Sequence, residues 1–479
     1  PIEDPNMISY KNIYVCIAIY FVLMVIISLL ANKKIKGSVD FFVAGRNLPL
    51  WLCTATLTAT WFGGGTVLGA AGAAYDGGII GVIADPIGAA LCLILAGLFY
   101  VRTIRRMKIL TVVDFFQLRY GMIPAQIAAI AQLILYIGWS GSLLISIGVI
   151  IENVIGLPQV TSIAVGTMVV IAYTVIGGMW AVSLTDFIQM VIIILGLGLI
   201  IPFIGLESGG FGELWSNIPK EKLYLFPQSS NVLDWLNYLQ AWLVIGVGGI
   251  AGQDLLQRSM SAKNERVAEY SAYLSGAIYL TIGLIPVFIG IVGADLLPEI
   301  ENPEYIVPQV ALRFLPPIAA AIFITALLAA VMSSADSALL ACGSIIGNNM
   351  ISQFKRTKEN PLFFSRIAIP CCAILALIAA LYFKNIYQLL LASYSTSLVA
   401  LFAPFTAGIW WKKANTSGAI ASMGCGLFFW VLFQILFPSH PGDLYAMFIS
   451  IIALVLGSVL TQGSDTPLAL TDLDGKQLT

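Results

Sequence analysis

Hydrophobic and polar positions alternate along this chain on the scale of whole segments. Long apolar runs, each about the 20 residues a helix needs to cross the hydrocarbon core of a bilayer, are separated by short polar connections. Their approximate edges are 13–31, 50–75, 78–101, 122–152, 158–179, 183–206, 233–256, 267–294, 306–350, 363–383, 386–411, 414–437 and 443–461. The pattern predicts an all-α polytopic membrane protein with thirteen transmembrane helices in a single membrane domain over 1–479.

The run LWLCTATLTATWFGGGTVLGAAGAAY, Leu50 to Tyr75, breaks the uniformity. Gly63, Gly64 and Gly65 stand together in its middle, and each costs ~1 kcal/mol relative to alanine inside a helix. A break at that depth frees carbonyls that lipid cannot satisfy, so it is tolerated where it lines a polar cavity. Such interrupted helices hold solute and coupling ion in many secondary transporters. The competing reading is a glycine face for close helix packing. A second cluster, Gly246, Gly248, Gly249 and Gly252 in IGVGGIAGQD, lies in the 233–256 run, five spans further on. That spacing fits two five-helix halves of opposite orientation, 50–206 and 233–411, each opening on a broken helix. The 13–31 helix precedes the repeat, the helices of 414–461 follow it, and 462–479 reads as a polar, flexible cytoplasmic tail.

Composition sharpens this picture: 59% of residues are hydrophobic, 10% are charged and the mean hydropathy is +0.92. If the first span runs inward, Lys33, Lys34, Lys36, Arg46, Arg102, Arg105, Arg106, Lys108 and most other cations fall on one side. Only Lys11, Lys220, Lys222, Arg313 and Lys384 fall on the other. Positive charge is retained in the cytoplasm, which puts the N-terminus outside and the C-terminus inside a plasma (inner) membrane. The outer loop ADLLPEIENPEY is acidic and reads as a solvated cluster. The basic stretch before VVDFFQLRY points to an amphipathic segment at the inner interface. Seven scattered cysteines show no metal-like spacing, and the one histidine, His440, lies in a turn, so neither a histidine-ligated metal nor a Ser-His-Asp enzyme is expected.

Four acids fall inside spans: Asp85, Asp186, Asp254 and Asp336. Each costs ~3 kcal/mol at a helix centre by insertion scales, so a function is the default reading. Around Asp336, in AAVMSSADSALL, Ser333, Ser334 and Ser337 occupy neighbouring faces of one turn. Hydroxyl and carboxylate oxygens suit a hard cation. Serines in membrane helices also simply pack closely or bond back to the preceding turn.

DFFVAGRNLP (Asp40 to Pro49), IGGMWAVSLTDFIQ (Ile176 to Gln189) and AAVMSSADS (Ala329 to Ser337) resemble signatures of the solute:sodium symporter family, in order along nearly the whole chain. TATWFGGG, DPIG and VMSSADSALL are most similar to its high-affinity choline transporter subgroup. The resemblance implies a leucine-transporter-like fold. It also implies a Na+ site made by the carbonyls of Ala59, Phe62 and Ala330 and the hydroxyls of Ser333 and Ser334. Asp186 would serve a second ion, with Ser337 close by. Trp61 and Trp139 match two walls of an aromatic cage for a quaternary ammonium, a contact worth ~2 kcal/mol when desolvated. Ala89 and Gly252 depart from the aromatics of that subgroup, and Asp85 adds a charge, which fits an amine-bearing solute other than choline. Asp85 bound to a hydroxyl or the backbone, and Trp139 as ordinary core, remain alternatives. Tyr75, Trp242, Gln253 and Asp254 are further candidates near the pocket.

The function expected is sodium-driven symport of a small organic solute, amine- or quaternary-ammonium-bearing, by alternating access. Sodium is the coupling ion, no organic cofactor is needed, and solute and lipid bilayer are the partners, with no nucleic acid. Alternatives are a sodium or proton symporter for an amino acid or other zwitterion, or a transporter-like sensor or channel.

Overall fold

A computed structural model of the chain describes residues 5–33, 35, 37–207, 209–351 and 361–478. Among them ten helices are long and apolar enough to cross a bilayer, eleven if the pair Val232–Ala251 and Gln253–Ser261, bent by 46°, is one span. Two expected spans fall outside that count. One is 50–75, whose helix Leu50–Trp61 stops after 12 residues and whose remainder runs on from Gly65 into the next span; the other is Gln159–Ala172, which is short and continues past a kink at Gly178 (φ 59°) into the next span. The 306–350 run is two elements, a short helix Ile306–Phe314 and the long Pro317–Ile345. Pro316 and Pro317 part them, since the residue before a proline leaves the helical region.

Pro317–Ile345 is buried along almost its whole length, and Lys11–Ala31, Met122–Ile155 and the 159–207 run pack around it. Thr416–Leu436 and Gly442–Leu460 pair with each other at the edge and turn Phe428, Val431, Ile435 and Ile452 outward, where lipid takes the place of core. Glycine sets the closest approaches. A Cβ at Gly290 would lie 2.1 Å from the Ala71 carbonyl oxygen. Backbone cannot yield as a side chain tip does, so Gly290→Ala is expected to destabilise the fold by about 1–3 kcal/mol, read as a lower thermal unfolding midpoint. An unchanged midpoint would place these two helices further apart.

Three connections are tied into the protein, two of them against expectation. Glu304, in the acidic outer loop, is buried, and its carboxylate accepts from the N–H groups of Ile386 (2.8 Å) and Tyr387 (3.1 Å), so it caps the helix Ile386–Ser397. Burial holds the Glu304 carboxyl above the usual range, against the pull of those two bonds. Val112–Tyr120 packs one face tightly onto the protein: Phe115, Phe116 and Arg119 are buried while Gln117 is exposed, and Arg119 donates to the Gly408 carbonyl at 2.9 Å. The tail from 462 is not loose. Asp465 accepts from Ser417 N at 2.7 Å, and Leu473 N donates to the Met107 carbonyl at 3.0 Å.

Candidate functional site

The first break follows from backbone conformation at Phe62, whose ψ of 71° takes the chain out of the helix that began at Leu50. Gly63 N turns back to the Trp61 carbonyl at 2.9 Å, so the last helical carbonyls lose their partners four residues on. Buried carbonyls need replacements, and hydroxyls supply them. Ser333 Oγ donates to Ala59 O at 2.7 Å and Ser334 Oγ to Thr60 O at 2.7 Å, while Tyr279 OH, whose one proton goes to Asp85, lies 3.1 Å from Trp61 O. The glycines are required by proximity: a Cβ at 63 would stand 2.4 Å from Ser334 Oγ, and one at 64 would stand 2.0 Å from Ser146 Oγ. Gly65 likewise abuts Leu390.

The second break is a 3-10 turn, Gly248–Ala251, followed by extended Gly252 (ψ 135°) before the helix restarts at Gln253. A Cβ at Gly249 would lie 2.7 Å from Trp61 Cη2. The two breaks therefore meet across one indole. A third interruption lies in the 78–101 run, where Asp85 (φ −146°, ψ 123°) precedes Pro86 and is not helical. The Asp-Pro pair was its sequence signal.

Around the meeting point is a small cavity, with about 270 Å3 of atom-free space, lined by Trp61, Gly63, Gly65, Thr66, Asp85, Ala89, Trp139, Tyr279 and Tyr394 among others. Tyr394 bridges the two tryptophans, with ring centroids 6.2 Å from Trp61 and 6.1 Å from Trp139. Asp85 is buried, and its two oxygens accept from Tyr279 OH at 2.6 Å and Thr66 Oγ1 at 2.8 Å. No cationic side chain pairs with it among the described residues. Trp61 Nε1 is buried without a hydrogen-bond partner.

Toward the basic face, below the break, oxygens converge. Ser333 and Ser334 also lie 3.1 and 3.3 Å from Ala330 O, so two hydroxyls and the Ala59 and Ala330 carbonyls share one spot. Such hard neutral oxygens suit an alkali cation. Asp186 accepts from Thr56 Oγ1 on one oxygen, and the other is buried without a partner. Ser337 is differently placed: its Oγ accepts from Arg258 Nη2 at 2.5 Å, and a guanidinium so close opposes a cation there. Phe62 supplies the non-helical turn beside this group.

The remaining candidates scatter. Ala89 lines the cavity, whereas Gly252 lies next to Tyr136 OH and Asp254, one turn below Trp139. Gln253 is tied to the inner segment, accepting from Val112 N at 2.7 Å, and is not in the lining. Tyr75 OH donates to Leu297 O at 2.9 Å, and Trp242 packs edge-on to Tyr238; both stand outside the cavity. Tyr394, Tyr279 and Thr66 were missed, since nothing in a lone tyrosine or threonine of an apolar run marks its partner on another helix.

The family model "Sodium:solute symporter family" matches residues 41–426. The high-affinity choline transporter 1 of Caenorhabditis elegans is 27% identical over 86% of this chain and 76% of its own length. That of Homo sapiens is 29% identical over 86% and 75%. A Na+-coupled sialic acid symporter, solved in a substrate-bound outward-open state, superposes with a TM-score of 0.80 at 20% identity, covering 98% of this chain and 99% of that one. The backbone is thus that of the leucine-transporter-like fold expected from the resemblance. With most of its length matched by one family model, the chain belongs to the sodium:solute symporter family, a family of transporters and not of enzymes.

Proposed function

We propose that the protein couples the inward movement of sodium to uptake of a small organic solute bearing a cationic amine or quaternary ammonium group, choline-like in its recognition. One observation carries this reading: Asp85, a buried carboxylate held by two neutral hydroxyls, lines one small cavity with three aromatic rings, and no cationic side chain among the described residues pairs with it. An anion in that position is costly to desolvate, and a cationic head between the carboxylate and the faces of Trp61, Trp139 and Tyr394 offsets the cost. The names of the similar choline transporters support the same class. Sodium binds at Ala59, Ala330, Ser333 and Ser334, with Asp186 available to a second ion. Because those oxygens close the first break, an ion there favours the arrangement in which Trp61 and its neighbours are set for the solute; a ligand with equal affinity for both states would couple nothing. We read 50–206 and 233–411 as two inverted repeats interleaved in a plasma membrane, with the basic face inward: the bundle that carries the broken helices closes over solute and sodium, and helices near the sodium site bend as it opens inward.

The test is thermal unfolding of the purified protein with choline, betaine, other amines, neutral amino acids and sugars, in sodium and in potassium. A substrate at 100 times its Kd should stabilise by about 2.7 kcal/mol, and in sodium more than in potassium. Equal stabilisation in the two salts would refute coupling; stabilisation by sugars and not by amines would refute the solute class.

A further inference from the structure

Away from the solute site, on the basic face, is an open cavity with about 1030 Å3 of atom-free space. Its walls come from three distant segments: Arg105, Arg106 and Lys108 after the 78–101 run, Lys263 at the start of Glu265–Leu296, and Lys476 from the tail. Cations in excess on this side of a membrane protein are ordinary. Their convergence on one hollow is not, because like charges repel unless something holds them.

The structure has the holding contacts. Arg105 Nε donates to Ala262 O at 2.7 Å, Arg106 pairs with Glu265 at 2.8 Å, and Lys108 is clasped by Asp474, which fixes the tail as the third wall. Asp472, at 3.8 Å from Lys108, and Glu265 are the acids in the lining, so its charge stays positive. Lys263 and Lys476 are exposed, and among the described residues neither has a carboxylate partner. The rim runs into the lipid-facing surface: Arg102, 3.6 Å from Glu265, follows exposed Leu98 and Phe99, and exposed Tyr270 and Leu274 continue along the helix from Glu265.

We propose that this cavity binds a phosphate-bearing anion, the headgroup of an anionic phospholipid whose chains lie along Leu98, Phe99, Tyr270 and Leu274. Basic pockets between helices at the headgroup level take such groups, at about 1 kcal/mol per lysine or arginine near the surface. An aqueous phosphate would satisfy the same cations but leave the apolar rim unused.

The experiment compares the full chain in phosphatidylcholine nanodiscs with and without phosphatidylglycerol, and in detergent with and without inorganic phosphate, by thermal unfolding and by native mass spectrometry of retained lipid. Phosphatidylglycerol is expected to raise the midpoint. The double variant Lys263→Gln, Lys476→Gln should lose that rise and hold the lipid about tenfold or more weakly, with its midpoint in phosphatidylcholine unchanged. Lys412→Gln with Lys413→Gln, exposed cations elsewhere, should keep it. A full rise from inorganic phosphate, with none added by lipid, would keep the anion site and assign it to a soluble ligand. The same response in wild type and the Lys263/Lys476 variant, or no response to either anion, would overturn the site.

Discussion

Uptake of an ammonium-bearing solute into proteoliposomes should fall by at least about a hundredfold in kcat/KM when Asp85 is replaced by asparagine. Removing one partner of a buried charge pair costs ~3–5 kcal/mol, because the remaining charge stays desolvated and alone. In the proposed pairing the remaining charge is the solute's own. The fold should lose much less. Tyr279 and Thr66, at 2.6 and 2.8 Å, are hydroxyls that can turn to accept from an amide as well as donate to a carboxylate. The loss is therefore expected in transport and in the solute-induced thermal shift, with the solute-free midpoint close to wild type. A neutral solute, were one carried, would respond little to the change. Wild-type uptake by Asp85→Asn would mean that the carboxylate serves the bend at Pro86 and not the cargo.

The positions readable beforehand are those where the chain departs from what lipid and helix would prefer. Three consecutive glycines at mid-span, and the cluster at Gly248 and Gly249, are costly unless something must come close; Ser334, Ser146 and the Trp61 ring are what come close. The turn holding Ser333 and Ser334 was visible for the same reason, as hydroxyls spaced on neighbouring faces of an apolar helix. What stayed hidden depends on contacts between distant segments. Tyr394 and Tyr279 look like any aromatics in a span, yet one joins the two tryptophans and the other meets both Asp85 and the Trp61 carbonyl. Ser337 has the same local setting as Ser333 but meets Arg258 from another helix, which reverses its meaning. Gln253, beside a glycine break, pointed to the pocket by proximity in sequence, while its side chain reaches the 110–112 segment. The tail looked flexible because polarity alone cannot show that Asp465, Leu473 and Asp474 have partners waiting.

Sodium should lose its hold on the protein when Ser333 and Ser334 are both changed to alanine. Each hydroxyl now donates to a carbonyl freed by the break, Ala59 O and Thr60 O, at 2.7 Å. In the sodium site proposed above the same oxygens turn their lone pairs to the cation, so the double variant would remove two ligands. It also leaves two buried carbonyls unpaired, at ~1–3 kcal/mol each. Two effects with different signatures follow. The sodium-free midpoint drops, and, separately, the rise in midpoint on adding sodium disappears, with the sodium concentration for half-maximal uptake up by about tenfold or more per lost ligand, if each contributes ~1.5 kcal/mol. Ser333→Thr and Ser334→Thr keep the hydroxyl and should retain most of the response. Ser337→Ala is the contrast: its oxygen faces the Arg258 guanidinium, so it should change stability and leave the sodium dependence near wild type. Asp186→Ala tests the second ion proposed above: if the carboxylate oxygen left without a partner holds that cation, its loss should lower the steepness of the sodium dependence. A Ser333/Ser334 double variant with the wild-type sodium response would move the ion away from the first break, and with it the reason the helix from Leu50 stops where it does.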